Sequence, residues 1–261
     1  GFEAQVSMQP GQAMDLTVKL LDGERTLDLQ TNGDPAEPTL TLKGKDWPIA
    51  VRRAGVHVRG DLVGDLNVVN EQGLWSARGR TVLHRFAADG PALAGDRLAL
   101  DAVATDWDVQ QTAAGWSVRK LDLKSAIAEL AAVGVIPATA EAPARLTGHV
   151  DLAATARLLP RAIPLRKGIT IEKGQARIEA AVSIAEGVEH LNVKADLADL
   201  AATEAGRPLT LQKPATLSAA VTRTGRNIAV ESFTLKAAGI DATATGDLEK
   251  GMKLSGSFDL A

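Results

Sequence analysis

Residues 176–184 read Ala176-Arg177-Ile178-Glu179-Ala180-Ala181-Val182-Ser183-Ile184, and their alternation decides the fold class. Successive side chains on a strand point to opposite faces, so an apolar residue at every second position marks a half-buried strand. The next breaker, Glu186-Gly187, predicts a hairpin turn to an antiparallel neighbour, and Thr224-Gly225 predicts another. The same pattern recurs towards both ends. Met14, Leu16, Val18 and Leu20 alternate with Asp15, Thr17 and Lys19, and Met252, Leu254, Gly256, Phe258 and Leu260 alternate with Lys253, Ser255, Ser257 and Asp259. Asp22-Gly23, Asn32-Gly33 and Lys250-Gly251 punctuate the runs. The chain reads as all-β.

The strands repeat as a group. Trp116-Ser-Val-Arg-Lys-Leu-Asp-Leu-Lys-Ser-Ala126 aligns with Ile228-Ala-Val-Glu-Ser-Phe-Thr-Leu-Lys-Ala-Ala238, setting Leu121 on Phe233 at an offset of 112, and Gly134 then meets Gly246. Leu146-Thr-Gly-His-Val-Asp-Leu-Ala153 aligns with Leu254-Ser-Gly-Ser-Phe-Asp-Leu-Ala261 at an offset of 108. Val51-Arg52-Arg53 and Gly55-Val-His-Val58 align with Leu165-Arg166-Lys167 and Gly168-Ile-Thr-Ile171 at offsets of 114 and 113. Three matches in one order imply two copies of a unit of about 112 residues. The expected organisation is a partial first repeat over 1–96, a central unit over 97–208 and the start of the next over 209–261, in one continuous domain. Ending on Leu260-Ala261, where the first copy enters its Asp-Leu-Ala segment, is what a piece of a continuing array would do.

Two segments need arbitration. Ser125 to Val133 is helical by propensity, but its repeat partner, Ala237 to Thr245, contains Gly239 and alternates, so both are predicted as strands. Asp151 to Leu159 is the predicted helix, with Asp151 as N-cap, Leu152, Ala156 and Leu159 on one face, and Pro160 as its stop. A shorter turn is predicted after Asp196, through Leu197, Leu200 and Ala201. In Leu98 to Val109 the apolar phase switches, as at a bulge.

Composition narrows the function. The 261 residues are 45% hydrophobic, but only four Trp and four Phe occur and no Tyr, so the apolar mass is Ala, Leu, Val and Ile. With 29 basic and 32 acidic residues interspersed, no basic stripe points to nucleic acid. The absence of Cys excludes disulfides, thiolate catalysis and Cys-ligated zinc. No apolar run reaches the roughly 18 residues of a membrane span. His57, His84, His149 and His190 fall in separate segments without a metal-ligand spacing. Asp101, Asp106 and Asp108 flank Val103 and Trp107 in a strand-like run, which suits a polar face better than a calcium loop. Asp-Leu-Ala recurs at Asp151, Asp196 and Asp259, where helix capping accounts for the first two. Nucleophile-elbow, Walker and dinucleotide motifs are absent, so no enzyme, cofactor or metal is expected. Arg52-Arg53 and Arg166-Lys167 recur before a Gly and a strand, where they suit either a solvated edge or contacts to lipid headgroups.

Strands with one apolar face close a barrel, stack as a sandwich or curl into a trough, and repetition favours the trough. Leu146-Thr-Gly-His-Val-Asp-Leu-Ala-Ala-Thr-Ala-Arg-Leu-Leu-Pro160, Gly206-Arg-Pro-Leu209 and Phe233-Thr-Leu-Lys-Ala-Ala-Gly-Ile-Asp-Ala-Thr-Ala-Thr-Gly-Asp-Leu248 resemble the AsmA-like superfamily, including its TamB-like proteins of diderm bacteria. The likeness covers residues 97–261, and residues 1–96 through the repeat. It implies an elongated, curved antiparallel sheet forming a U-shaped apolar groove (a β-taco-like repeat) with one or two short helices. It further implies a periplasmic location, an inner-membrane anchor outside this stretch, and phospholipid carried between inner and outer membranes for outer-membrane biogenesis. Envelope proteins are possible further partners. Groove contacts with acyl chains are then expected at Ile169, Ile171, Ile178, Val182, Ile184, Phe233, Leu235, Leu254 and Phe258, and headgroup contacts at Arg52, Arg53, Arg166 and Lys167. The alternative is a structural scaffold repeat whose apolar faces seal against each other.

Overall fold

The computed structural model describes residues 3–9, 15–32, 38–53, 55–166, 168–210, 214–225 and 227–258. Met14, Gly33, Lys167, Asp259 and Leu260, each part of a reading above, lie outside them, as do the side chains of Leu16, Arg53 and Phe258. The chain forms two compact units, 1–126 and 127–261. The joints of the sequence repeat, at 96/97 and 208/209, mark a period in the sequence rather than the boundary of a compact unit.

In the first unit β1 (Glu3–Gln9), β2 (Asp15–Asp22), β3 (Arg25–Asn32), β4 (Thr39–Arg53), β5 (Val56–Glu71), β6 (Leu74–Asp89), β7 (Arg97–Thr112) and β8 (Gly115–Ser125) pair each with the next, all antiparallel. A single 3-10 turn, Pro91–Leu93, links β6 to β7. In the second unit β9 (Ala128–Ile136) pairs β10 (Ala144–Asp151), which pairs β11 (Ile169–Ala185), which pairs β12 (Val188–Glu204). The long β12 carries short β13 (Arg207–Thr210) on its last residues and β14 (Ala215–Thr224) on the rest, and β15 (Asn227–Ala237), β16 (Ile240–Asp247) and β17 (Gly251–Phe258) follow. Neither ladder returns on itself: among the described residues the first and last strand of each unit pair with one strand of that unit. The protein is all-β, built of open antiparallel sheet rather than closed barrel.

Register is set by matched rows. Val18, Leu29, Leu42, Leu66, Gly79, Trp107 and Leu121 lie opposite one another across β2 to β8. On the other face the adjoining row reads Lys19, Asp28, Lys43, Asp65, Arg80, Asp106, Asp122. Opposite charges face each other until the last pair, Asp106 and Asp122. There Lys120 Nζ sits 2.6 Å from Asp106 and 3.5 Å from Asp122 and relieves the repulsion. A slip of one residue would turn every apolar side chain to the charged face.

One helix, α1 (Leu152–Leu158), interrupts the second unit, and Asp151 caps it by accepting a 2.8 Å hydrogen bond from Ala154 N. A Cβ at Gly174 would stand 2.9 Å from Leu200 Cδ1 and 3.2 Å from Leu152 Cδ1, so glycine there lets the start of α1 lie against β11. The turn predicted after Asp196 does not form. β12 runs unbroken from Val188 to Glu204, and Asp196 sits in the ladder between Arg177 and Thr216 instead of capping. Asp196 and Leu197 have ladder partners on both sides, and the unpaired stretch that follows, Asp199 at φ 52° and Leu200, is too short for a helical turn. Ser125 to Val133 and its partner resolve as predicted into the end of β8 and β9, and into β16. The phase switch in β7 is also present: Leu100 and Val103, three apart, are both buried.

Candidate functional site

Two features of the second unit collect the predicted contact residues. The first is one face of its sheet. Leu146, Ala180, Val193, Ala219, Phe233, Ala244 and Leu254 lie opposite one another across β10, β11, β12, β14, β15, β16 and β17. The neighbouring same-face row is Gly148, Ile178, Ala195, Leu217, Leu235, Ala242 and Gly256. Between them, on the reverse face, runs Thr147, Glu179, Lys194, Ser218, Thr234, Thr243, Ser255. Ile178, Val182, Ile184, Phe233, Leu235 and Leu254 therefore share a face, and the register places Phe258 opposite Ile240. The bulge at Glu231, where Ala220 meets Ser232 but Val221 meets Val230, keeps Val230 and Phe233 on that face despite their odd spacing.

How this face is covered is unusual for a core. Its buried members are small: Ala176, Ala215 and Ala244 are 4–6% exposed. Its larger members are not: Val182 is 38% exposed, Leu191 37% and Leu254 77%. Val182 and Leu191 face each other on β11 and β12, which have ladder partners on both sides, so an edge position does not explain their exposure. Towards the β11–β12 turn the row ends in Ile184, Glu189, Arg223 and Ile228. Arg223 Nη2 donates to Glu189 Oε1 at 2.6 Å, a polar rim that the sequence did not mark. The hydrogen bond from Arg223 holds the Glu189 carboxyl below its ordinary range and raises the guanidinium in turn.

The reverse face is concave. A depression of ≈ 510 Å³ lies over Thr147, Glu179, Lys194, Ser218 and Ala220. A twisted sheet is saddle-shaped and offers hollows on both sides. Its lining mixes Glu179 and Lys194 with Leu146, Ala181, Val193 and Ala220.

The second feature is a cleft of ≈ 320 Å³ between α1 and the start of β11, lined by Pro160, Ile163, Ile169 and Ile171 with Arg157 and Arg166. Ile169 and Ile171 line this cleft and Ile178 does not, with two register shifts, between Ile171 and Lys173 and between Lys173 and Gln175, lying between them. Arg166 is exposed and 3.8 Å from Glu204. Arg52, in the first unit, is exposed on β4 opposite His57.

Elsewhere the readings resolve into sheet electrostatics. Asp108 pairs with Arg78 at 3.1 Å and Arg119 at 3.4 Å, and Asp106 with Lys120, whose hydrogen bond lowers the Asp106 carboxyl's affinity for a proton. Asp101 is an exposed residue of β7. His57 lies 3.7 Å from Asp89, and His149 3.7 Å from Glu129, directly across the ladder. His84 and His190 occupy β6 and β12. Among the described residues no group of three or more His, Asp or Glu is placed to hold a metal ion, and no helix is long and apolar enough to cross a membrane. No family model, curated protein or solved structure matches the chain.

Proposed function

We propose that this chain is a periplasmic stretch of an AsmA-like, TamB-like bridge protein, whose apolar sheet face carries phospholipid acyl chains between the inner and outer membranes. One observation carries the reading. On that face Ala176, Ala215 and Ala244 are buried while Val182, Leu191 and Leu254 stay open, the reverse of a sandwich core, where large side chains interdigitate. An apolar face left in water is costly, and each acyl CH₂ it covers recovers about 0.8 kcal/mol. The row Gly148, Ile178, Ala195, Leu217, Leu235, Ala242 and Gly256 is small and aliphatic across seven strands, with Phe233 in the row beside it, and suits a flexible chain. The reading assigns the chain no catalytic step and no cofactor.

Photo-crosslinking in cells tests it, with the probe at Ile178 and, separately, at Arg177, its neighbour on the reverse face. Lipid adducts at position 178 and not at 177 are expected. Adducts at neither, in folded and exported protein, replace the conduit with a sealed scaffold repeat.

A further inference from the structure

Several charges of the sheet are answered by a neighbour. Arg78 meets Asp108, Arg177 meets Glu179, Lys194 meets Asp196 and Arg223 meets Glu189. The connector from Leu152 to Gly168 differs in composition. It holds Arg157, Arg161, Arg166 and Lys167 and not one acidic residue. It is also the part of the second unit that leaves the ladder to form α1 and the cleft behind it. We infer that this cleft is a docking site for an anionic phospholipid, with the first acyl carbons on Pro160, Ile163, Ile169 and Ile171 and the phosphate between Arg157 and Arg166. The inference rests on the conduit reading and adds to it a headgroup preference and a place.

Three observations support an occupant that is both apolar and negative. The cleft volume, ≈ 320 Å³, is at the small end of ligand sites and fits part of a lipid rather than all of it. The Arg157 guanidinium is anchored by Nε donating to Ala153 O at 3.2 Å, its one hydrogen bond among the described residues, so its Nη donors remain for a ligand. The Arg166 contact with Glu204 is long and exposed, and a phosphate that accepts a forked pair of hydrogen bonds competes with it effectively.

The test is calorimetric titration of the whole chain with soluble short-chain phosphatidylglycerol, short-chain phosphatidylcholine and glycerol phosphate. The first is expected to bind about tenfold tighter than the second, as two arginines near a headgroup allow, and high salt should erase the difference. In R157Q/R166Q, with its far-ultraviolet dichroism unchanged, the preference should vanish while phosphatidylcholine binding stays. A preference that survives the double variant, or equal binding of both lipids by the native chain, overturns the inference and leaves the conduit standing. Glycerol phosphate binding as tightly as the lipid overturns it in favour of a free-anion site. Binding of neither lipid overturns the inference and the conduit together.

Discussion

Two long hairpins, β5–β6 and β11–β12, hold matching places in the repeat and are entered in different ways. Both begin just after a glycine at positive φ, Gly55 at 78° and Gly168 at 92°. Both turn through a residue at φ 52° followed by glycine, Gln72-Gly73 in one and Glu186-Gly187 in the other. Yet β5 is reached directly from β4 through the Arg53–Val56 pair, whereas β11 is reached through α1 and a cationic connector. A strand inside a ladder answers to a neighbour on each side, so its length and turns are constrained. The connector answers to neither, and α1 and its cleft form there.

The same contrast yields predictions. The largest concerns covering: Leu100 of the first unit is 9% exposed and Leu254 of the second 77%. Urea unfolding should show Leu100→Ala losing about 2–5 kcal/mol, and Leu254→Ala staying within about 0.5 kcal/mol of the native chain. A large loss at Leu254 would mean that its face is packed, and would break the comparison.

Next come Gly148 and Gly256, equivalent in the repeat. A Cβ at Gly148 would collide with the Glu129 carbonyl oxygen and stand 2.8 Å from Leu130 Cδ2, while at Gly256 the nearest atom is Asp241 O at 3.2 Å. Gly148→Ala should cost about 1–3 kcal/mol, and Gly256→Ala less than about 0.5 kcal/mol. Equal losses would show that the copies are packed alike at this point.

Asp151→Ala removes the α1 cap and should lower stability by about 1 kcal/mol. Asp151→Asn should restore most of it, because an amide oxygen also accepts from Ala154 N. No first-unit substitution has a counterpart, since β4 stands where α1 would be.

The smallest effect is electrostatic. The folded-state Glu189 carboxyl is held low by Arg223, so its contribution is present above the ordinary glutamate range and is lost as pH falls through the lower folded value. Between about pH 7 and about pH 3, Glu189→Gln should flatten a small part of the acid loss in the urea midpoint, and salt should do likewise. An unchanged acid slope would show that this rim pair contributes nothing.

Much of the architecture was legible from periodicity. The alternation over 176–184 and 252–258, the turns at Glu186-Gly187 and Thr224-Gly225, and Asp151 as a cap are local signals that neighbouring residues do not overrule. The repeat also resolved Ser125 to Val133 correctly, because Gly239 in the second copy excludes a helix where propensity alone favoured one. Asp196 misled for the opposite reason. Its local sequence matches that of Asp151, but β11 and β14 flank it, and pairing on two sides outweighs one capping bond.

The contact residues were only partly legible. Parity along β11 and β15 was enough to put Ile178, Val182, Phe233 and Leu235 on one face. Ile169 and Ile171 differ from Ile178 and Val182 in parity along β11, and only the placement of α1 beside the start of that strand shows the cleft they line. The Glu189–Arg223 rim and the alternating row from Lys19 to Asp122 had no sequence signal at all, because their members lie many residues apart and become neighbours only once the register is known.

By itself, then, the sequence determined the strands, their turns, the single capped helix and the polarity of each face, since all of these follow from side-chain period and backbone preference within a few residues. The tertiary structure decided which apolar residues stand in one row, which charges answer each other and which large side chains stay uncovered. Those depend on register and bulges, which shift partners by whole residues without changing the local pattern.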